Sequence, residues 1–443
     1  LYPDSGVIAM IAASRSVYIS DNGIFSEAMG RYFFSRDEEG KAIRLGDLLR
    51  YAKNATNDGG NKLRFLLMGD PAMRVPSPDK YVVVDRIGDT DMTAGGEMPQ
   101  IGALEKFTVE GRVVDSNGNT LDDFNGNIDL ILFDAEMPVE TYGNGDDGEP
   151  YTYNDRQSRL FRSVEKVTGG RWTATVLTPA LIENNYSPAR LSLYAYSDSG
   201  VEANGACERL YVYGFNPDAT RADDTEGPVI SGLCLNSEAF TSGDIVNQSP
   251  VVRASMRDAS GISVYGSTIG HQITVKVDDQ VYNDVSDFYT PADGDPYGGS
   301  ILYPLSDVEP GEHTLTLIVY DNMGNDSQQS VTFRVAVGRA PGITDAHTDV
   351  NPARTSVNFI VSHDRPSEAL QCTVDVYNLA GSKVWSKTVS TSGGYDTSLR
   401  IGWDLCDGGG GRVPRGIYVY RVTVTDASGA ESSVAKKLAV TAQ

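Results

Sequence analysis

The chain has 443 residues, 40% hydrophobic and 22% charged, a folding composition whose length suggests about three domains. Lys and Arg number 37 against 60 Asp and Glu, and the resulting net charge of −23 repels a phosphate backbone, so no nucleic acid is expected as a partner. The four cysteines are far apart with no CxxC pair, which excludes a zinc knuckle or thioredoxin-like site, and no apolar run is long enough to predict a membrane-spanning helix.

The chain opens Leu1-Tyr2-Pro3 without an initiating methionine, which predicts a segment before it. Val7 to Ala13 is apolar on both faces, as a buried parallel strand requires, although a buried helical turn would read alike. Ile24, Phe25, Ala28, Met29, Tyr32 and Phe33 recur at three- and four-residue spacing and predict a helix that Asp21 or Asn22 caps. Leu48, Leu49 and Ala52 share one face of a second helix, Asn57 to Gly60 form a turn, and Phe65 to Met68 form a second buried strand. Gly69-Asp70-Pro71 and Pro76 then stop regular structure. Strand, helix, helix, strand is α/β logic, yet two strands cannot make a sheet covered on both faces, so this segment closes a larger domain.

Ligands of open α/β sheets bind beyond the carboxyl ends of strands. Ser14, Arg15, Ser16, Val17 and Tyr18 occupy that edge, where Arg15 would pair a substrate carboxylate and Tyr18 would wall a pocket. The competing reading has Arg15 merely holding the loop by local hydrogen bonds. Asp70 is placed on the same edge, mainly as a turn former.

From about Lys80 the apolar period changes from 3.6 to 2 and stays there. Strands such as KFTVEGRVVD, NIDLILFD, GRWTATVLTP and ARLSLYAYS form one unit, and the polar stretch 219–228 is a linker. PVVRASMRD, HQITVKVDD, EHTLTLIVYD and QSVTFRVAV form a second, and CTVDVYNL, GIYVYRVTVTD and VAKKLAV a third. The divisions fall at 1–78, 79–218, 219–340 and 341–443. Cys372, Val374 and Val376 point one way along a strand, so Cys372 belongs to a core, while the pairing of the four cysteines stays open. None of the four histidines lies in the α/β segment, and neither does a cysteine. Acidic loops at 143–149, 223–226, 293–295 and 321–326 suit calcium, with Asp146, Asp147, Asp321 and Asp326 as candidate ligands, although Asp and Asn also simply turn strands.

SGVIAMIAASRSVY, IFSEAMGRYFF, LGDLLRYAKN and LRFLLMGDPAMRVPSP resemble the final third of the gingipain-type cysteine peptidase domain. DFNGNIDLILFD, GPVISGLCLNSEAF, GEHTLTLIVYDNMGND and VDVYNLAGSKVW are similar, in the same order, to the β modules of the PorU-like sortases of the Bacteroidota type IX secretion system. The resemblance implies a mostly β chain: the C-terminal remnant of a caspase-like α/β peptidase domain followed by three immunoglobulin-like β-sandwich modules, the last resembling a sorting domain. It implies an exported protein at the outer-membrane surface that cleaves C-terminal signal domains from secreted cargo and attaches the cargo to anionic lipopolysaccharide. Partners would be the N-terminal remainder of the peptidase domain and other outer-membrane proteins of the system. No cofactor is required, and calcium is compatible. The family's catalytic histidine and cysteine precede the stretch matched by residues 4–20, so this chain alone is expected to be inactive, with Ser14 to Tyr18 as one wall of the substrate pocket. The competing readings are a surface adhesin or carbohydrate-binding protein, for which exposed aromatics would be diagnostic, and a cargo protein with a removable sorting domain.

Overall fold

The computed structural model describes residues 9–56, 62–74, 77–93, 95–144, 148–215, 224–265, 271–366, 368–391 and 397–441. The first part of the expected opening strand, the turn at 57–60, Pro76, Asp146, Asp147 and the first half of the 219–228 linker lie outside them.

The opening segment runs β1 (Met10–Ala13), α1 (Ile19–Phe33), α2 (Leu45–Ala55) and β2 (Phe65–Met68). The two strands pair antiparallel, Met10 opposite Met68 and Ala13 opposite Phe65, which corrects the parallel strand expected from the sequence. Facing residues of an antiparallel pair share a side of the sheet. Ile11 and Phe65 therefore pack on the helices, with Phe25 of α1 stacked on Phe65 at 3.9 Å between ring centroids and Ala28 and Ala52 completing the cluster. Met10, Leu66 and Met68 occupy the other side and are 46%, 50% and 53% exposed. The strand is apolar on both sides, as read, but only one side is covered.

The helices differ from expectation at one end. α1 begins at Ile19 with Tyr18 at the N-cap position and no side-chain cap bond, so Asp21 sits inside the first turn, where its charge complements the helix dipole, rather than capping it. α2 has its first N–H groups satisfied by the chain that follows β2: Leu45 N–H donates to Met73 O at 2.8 Å and Gly46 N–H to Pro71 O at 3.0 Å. A Cβ on Gly46 would lie 2.9 Å from Pro71 Cβ, so glycine is what lets the Gly-Asp-Pro turn dock there. That turn closes the segment by capping its second helix.

Strands dominate the rest. In the first β unit, seven strands follow one path from Arg159–Val167 through Gly126–Phe133, Arg190–Ser197, Glu202–Cys207, Lys80–Ile87 and Lys106–Val114 to Arg171–Leu177, with Thr90–Asp91 attached beside the fifth. The two end strands are joined by a tight turn with paired Thr168 and Arg171, so the sheet curls over on itself around Val109, Ile128, Leu130, Leu132, Leu160, Trp172 and Leu191. Its two layers are parts of one continuous sheet. The strand alternation read from the sequence is its inward period, as in Lys106–Val114, where Phe107, Val109 and Val113 are buried.

The second unit packs a four-stranded sheet containing Val251–Arg257 and Asp295–Pro304 against a five-stranded one containing Gly311–Tyr320 and Asp326–Val335, around Val252, Ile301, Leu315, Leu317 and Phe333. The third packs three strands against four around Phe359, Cys372, Val374, Val376, Trp403 and Tyr420. Cys372 is fully buried in that core, as its strand position predicted. The first two units also dock on one another: Gly294 N–H donates to Val164 O at 2.7 Å, Ala180 N–H to Asn322 O at 2.8 Å, and Arg159 pairs with Asp287 at 2.6 Å.

Candidate functional site

The site begins where β1 ends. Ser14 N–H donates to Arg64 O at 2.9 Å, which holds the chain to the start of β2 before it turns away. Arg15 and Ser16 follow, both exposed, then half-buried Val17, which packs into the cluster beneath the helices, and Tyr18, 77% exposed. Val17 anchors the loop and its neighbours stand in solvent. Arg15 makes no hydrogen bond or ion pair with any described residue, so its guanidinium is not spent on holding the loop. An exposed guanidinium on the same short loop as an exposed phenol ring is able to take a carboxylate in bidentate fashion.

Asp70 does not share this edge. Antiparallel pairing places it beyond Met68, at the opposite end of the two strands from Ser14, and its carboxylate accepts the Ala72 N–H at 2.9 Å as a turn former. The reading that put both on one edge assumed parallel strands.

Among the described residues no thiol–imidazole pair for nucleophilic catalysis is evident. The α/β segment holds neither residue type. Elsewhere, burial raises the thiols of Cys207 and Cys234 above the ordinary range and pushes Cys372 up to about 11. Cys406 is raised too, by desolvation and then by the charge of Asp404. A catalytic thiol needs the reverse, a positive neighbour that favours the thiolate. His313 is already committed, with Nδ1 2.7 Å from Asp278 Oδ2 and Nε2 2.7 Å from Glu309 O. Desolvation works against its charge, but the bonds to Asp278 and Glu309 prevail and leave its pKa raised. The four cysteines are unpaired thiols.

The acidic loops sort differently from their order in the chain. Asp293 and Asp295 pair with Lys166 and Arg257. Asp326 is exposed at the start of its strand. Asp321 instead converges with Asp224, from the linker, and Asp258, each offering a carboxylate oxygen within 4.8 Å of the others. This small acidic cluster is able to coordinate a metal ion. The sequence singled out the loops of Asp224 and Asp321 separately. It missed Asp258, whose Arg-Asp-Ala-Ser-Gly run reads as one more strand turn.

Residues 1–76 match peptidase family C25. The chain is 30% identical to the structure of dimeric latent PorU from Porphyromonas gingivalis, over 93% of this chain and 39% of that one, with a TM-score of 0.39. It therefore spans well under half of that protein's length. At 13% identity it is similar to a tetra-tandem repeat from the extending region of a large adhesion protein, over 77% of this chain and 73% of that one with a TM-score of 0.18. It is also 13% identical to a Bacteroides ovatus protein of a mixed-linkage glucan utilization locus, SGBP-B, solved with a mixed-linkage heptasaccharide, over 83% of this chain and 72% of that one with a TM-score of 0.24. No curated protein matches the chain. Among the described residues no helix is long and apolar enough to cross a membrane, which says nothing of β-barrels. Through its opening segment, the chain is related to the gingipain and PorU peptidases at the level of the superfamily.

Proposed function

We propose that this chain is the C-terminal part of a PorU-like cysteine peptidase or transpeptidase of a type IX secretion system. In this reading it acts at the outer-membrane surface, cleaves the C-terminal signal domains of cargo and passes the cargo to anionic lipopolysaccharide. The observation that carries the reading is the family C25 match over residues 1–76, laid on a strand pair whose outer side is apolar and exposed. Met10, Leu66 and Met68 together expose a surface that an α/β peptidase domain buries beneath further secondary structure. We assign the N-terminal remainder of the peptidase domain as its cover, and to that remainder the thiol and imidazole of the covalent step. The three β modules carry this segment outward on one chain, with the last in the place of a sorting domain. The peptidase step requires no cofactor, and calcium is the cation we assign to the one acidic cluster found among the described residues of the modules.

The adhesin or carbohydrate-binding reading gains nothing from the tryptophans. Trp172 and Trp403 are 3% and 2% exposed, and Trp385 is half-buried against Trp403, so none offers an open ring for a sugar.

Within this reading Ser14 to Tyr18 wall the substrate pocket and Arg15 recognises a carboxylate. In the completed peptidase, Arg15→Ala is expected to raise KM for peptides carrying an acidic residue at the recognised position. The loss should be about 1.5–3 kcal/mol, the worth of a hydrogen bond to a charged group, with the thermal midpoint unchanged because Arg15 is exposed and makes no hydrogen bond or ion pair with any described residue. An unchanged profile across acidic, neutral and basic peptides would remove Arg15 from the pocket.

A further inference from the structure

We propose that Asp224, Asp258 and Asp321 bind one calcium ion, which fastens the linker between the first two β modules to the second module. The proposal is independent of the peptidase reading. Three carboxylate oxygens within 4.8 Å of one another match the spread available to ligands of a single ion, since two oxygens each about 2.3–2.6 Å from calcium lie at most about 5 Å apart. The donor set is entirely hard oxygen, which favours calcium or magnesium over zinc.

Charge argues the same way. Asp258 and Asp321 are 8% and 2% exposed, and no Lys or Arg among the described residues pairs with either of them or with Asp224. Neutral donors meet Asp258 and Asp321, Ser260 at the one and the Met323 and Asn325 amides at the other, but none of them offsets the mutual repulsion of three carboxylates.

Two oxygen atoms are left without donors. Asp224 Oδ2 is buried and accepts no hydrogen bond. Asn322, 3% exposed, lies against the turn that holds Asp258: its Nδ2 donates to Ser260 O at 2.9 Å, while its Oδ1 is buried with no partner. Ser260 in turn donates N–H and Oγ–H to Asp258 Oδ1, each at 2.7 Å. A buried acceptor with no donor loses its hydration for nothing in return. A cation supplied to this cluster satisfies Asp224 Oδ2, and the donorless Oδ1 of Asn322, next in the chain to Asp321 and against the Asp258 turn, is a further hard oxygen nearby.

The consequence is mechanical. Residues 321–325 meet three different parts of the chain. Asn322 O accepts the Ala180 N–H of the first module, Asn325 Nδ2 donates to the linker's Asp224 O at 3.2 Å, and Asn322 Nδ2 reaches the Asp258 turn. An ion between Asp224, Asp258 and Asp321 ties these contacts into one joint.

The test is calcium binding to the whole chain, stripped with a chelator and titrated calorimetrically with calcium chloride and separately with magnesium chloride. Hydrogen exchange of the 224–227 and 321–325 amides provides a structural readout. Calcium is expected to slow exchange in both stretches. Asp224→Asn is expected to lower the number of ions bound by one, or to weaken that site on the order of tenfold or more, and to abolish the added protection. Asp224 lies in the linker, so its replacement leaves the cores of both modules intact. Asp321→Asn should reproduce the binding loss. Absence of calcium binding by the unmodified chain, or unchanged stoichiometry, affinity and protection in Asp224→Asn, overturns the proposal. Preference for magnesium overturns the identity of the ion.

Discussion

Cys372 shows how a residue's chemistry follows from its place in a strand. It alternates with Val374 and Val376, all three fully buried, and the apolar surroundings push its thiol up to about 11. Two effects then suppress reaction: a thiolate fraction near pH 8 of roughly one part in a thousand, and no path for reagent to the sulfur. Iodoacetamide at pH 8 is expected to leave Cys372 unmodified in the folded chain and to label it on addition of denaturant, as mapped by peptide mass spectrometry. Rapid labelling of Cys372 in the native state would contradict the core assignment and reopen the question of a nucleophile in the last module. Its position was legible because a period of two is a local property. The acidic cluster was less so. Asp224, Asp258 and Asp321 are close only because the fold brings a linker and two turns together. Each is one Asp in an Asp- and Gly-rich turn, indistinguishable by composition from Asp293 and Asp295, which pair with basic residues instead.

At the scale of elements, the opening segment is held by a small cluster in which Phe25 and Phe65 stack and Ala28 and Ala52 fill the remaining space. So few contacts make each one count. Phe25→Ala leaves a cavity that neighbouring side chains close only in part, and is expected to cost about 3–5 kcal/mol. The loss should fall on residues 9–74, seen as faster hydrogen exchange and earlier proteolysis there, while the β modules keep their protection, since their cores are separate. Uniform loss of protection through the whole chain would show that the segment and modules unfold as one. The helices of this segment were legible from their 3.6-residue spacing, and Leu48 and Ala52 are fully buried as that spacing requires. Strand direction was not legible. β1 and β2 are joined through two helices, and whether Asp70 falls beside Ser14 or at the far end depends on a pairing between residues more than fifty positions apart. Composition carries no information about that pairing. The apolar outer side, Met10, Leu66 and Met68, looked like evidence of double-sided burial, and it is instead an uncovered surface.

The whole molecule is a short α/β segment joined to three far larger β units. It holds a family C25 segment at one end and three β modules behind it. The acidic surface, net charge −23, suits a protein that must stay dispersed rather than bind polyanions unaided. If lipopolysaccharide is the acceptor, its anionic part must meet positively charged side chains gathered locally, against the overall field. Among the described residues no thiol has an imidazole to activate it: the C25 segment contains neither residue type, and every thiol in the modules is shifted away from thiolate. The most direct measurement is therefore to offer this polypeptide by itself a cysteine-directed acylating probe and a panel of cargo-derived peptides, with labelling followed by intact mass and turnover by chromatography. No acyl adduct and no cleavage above the buffer rate are expected. Stoichiometric acylation accompanied by peptide turnover would show that a nucleophile already resides in these 443 residues, and would contradict the account.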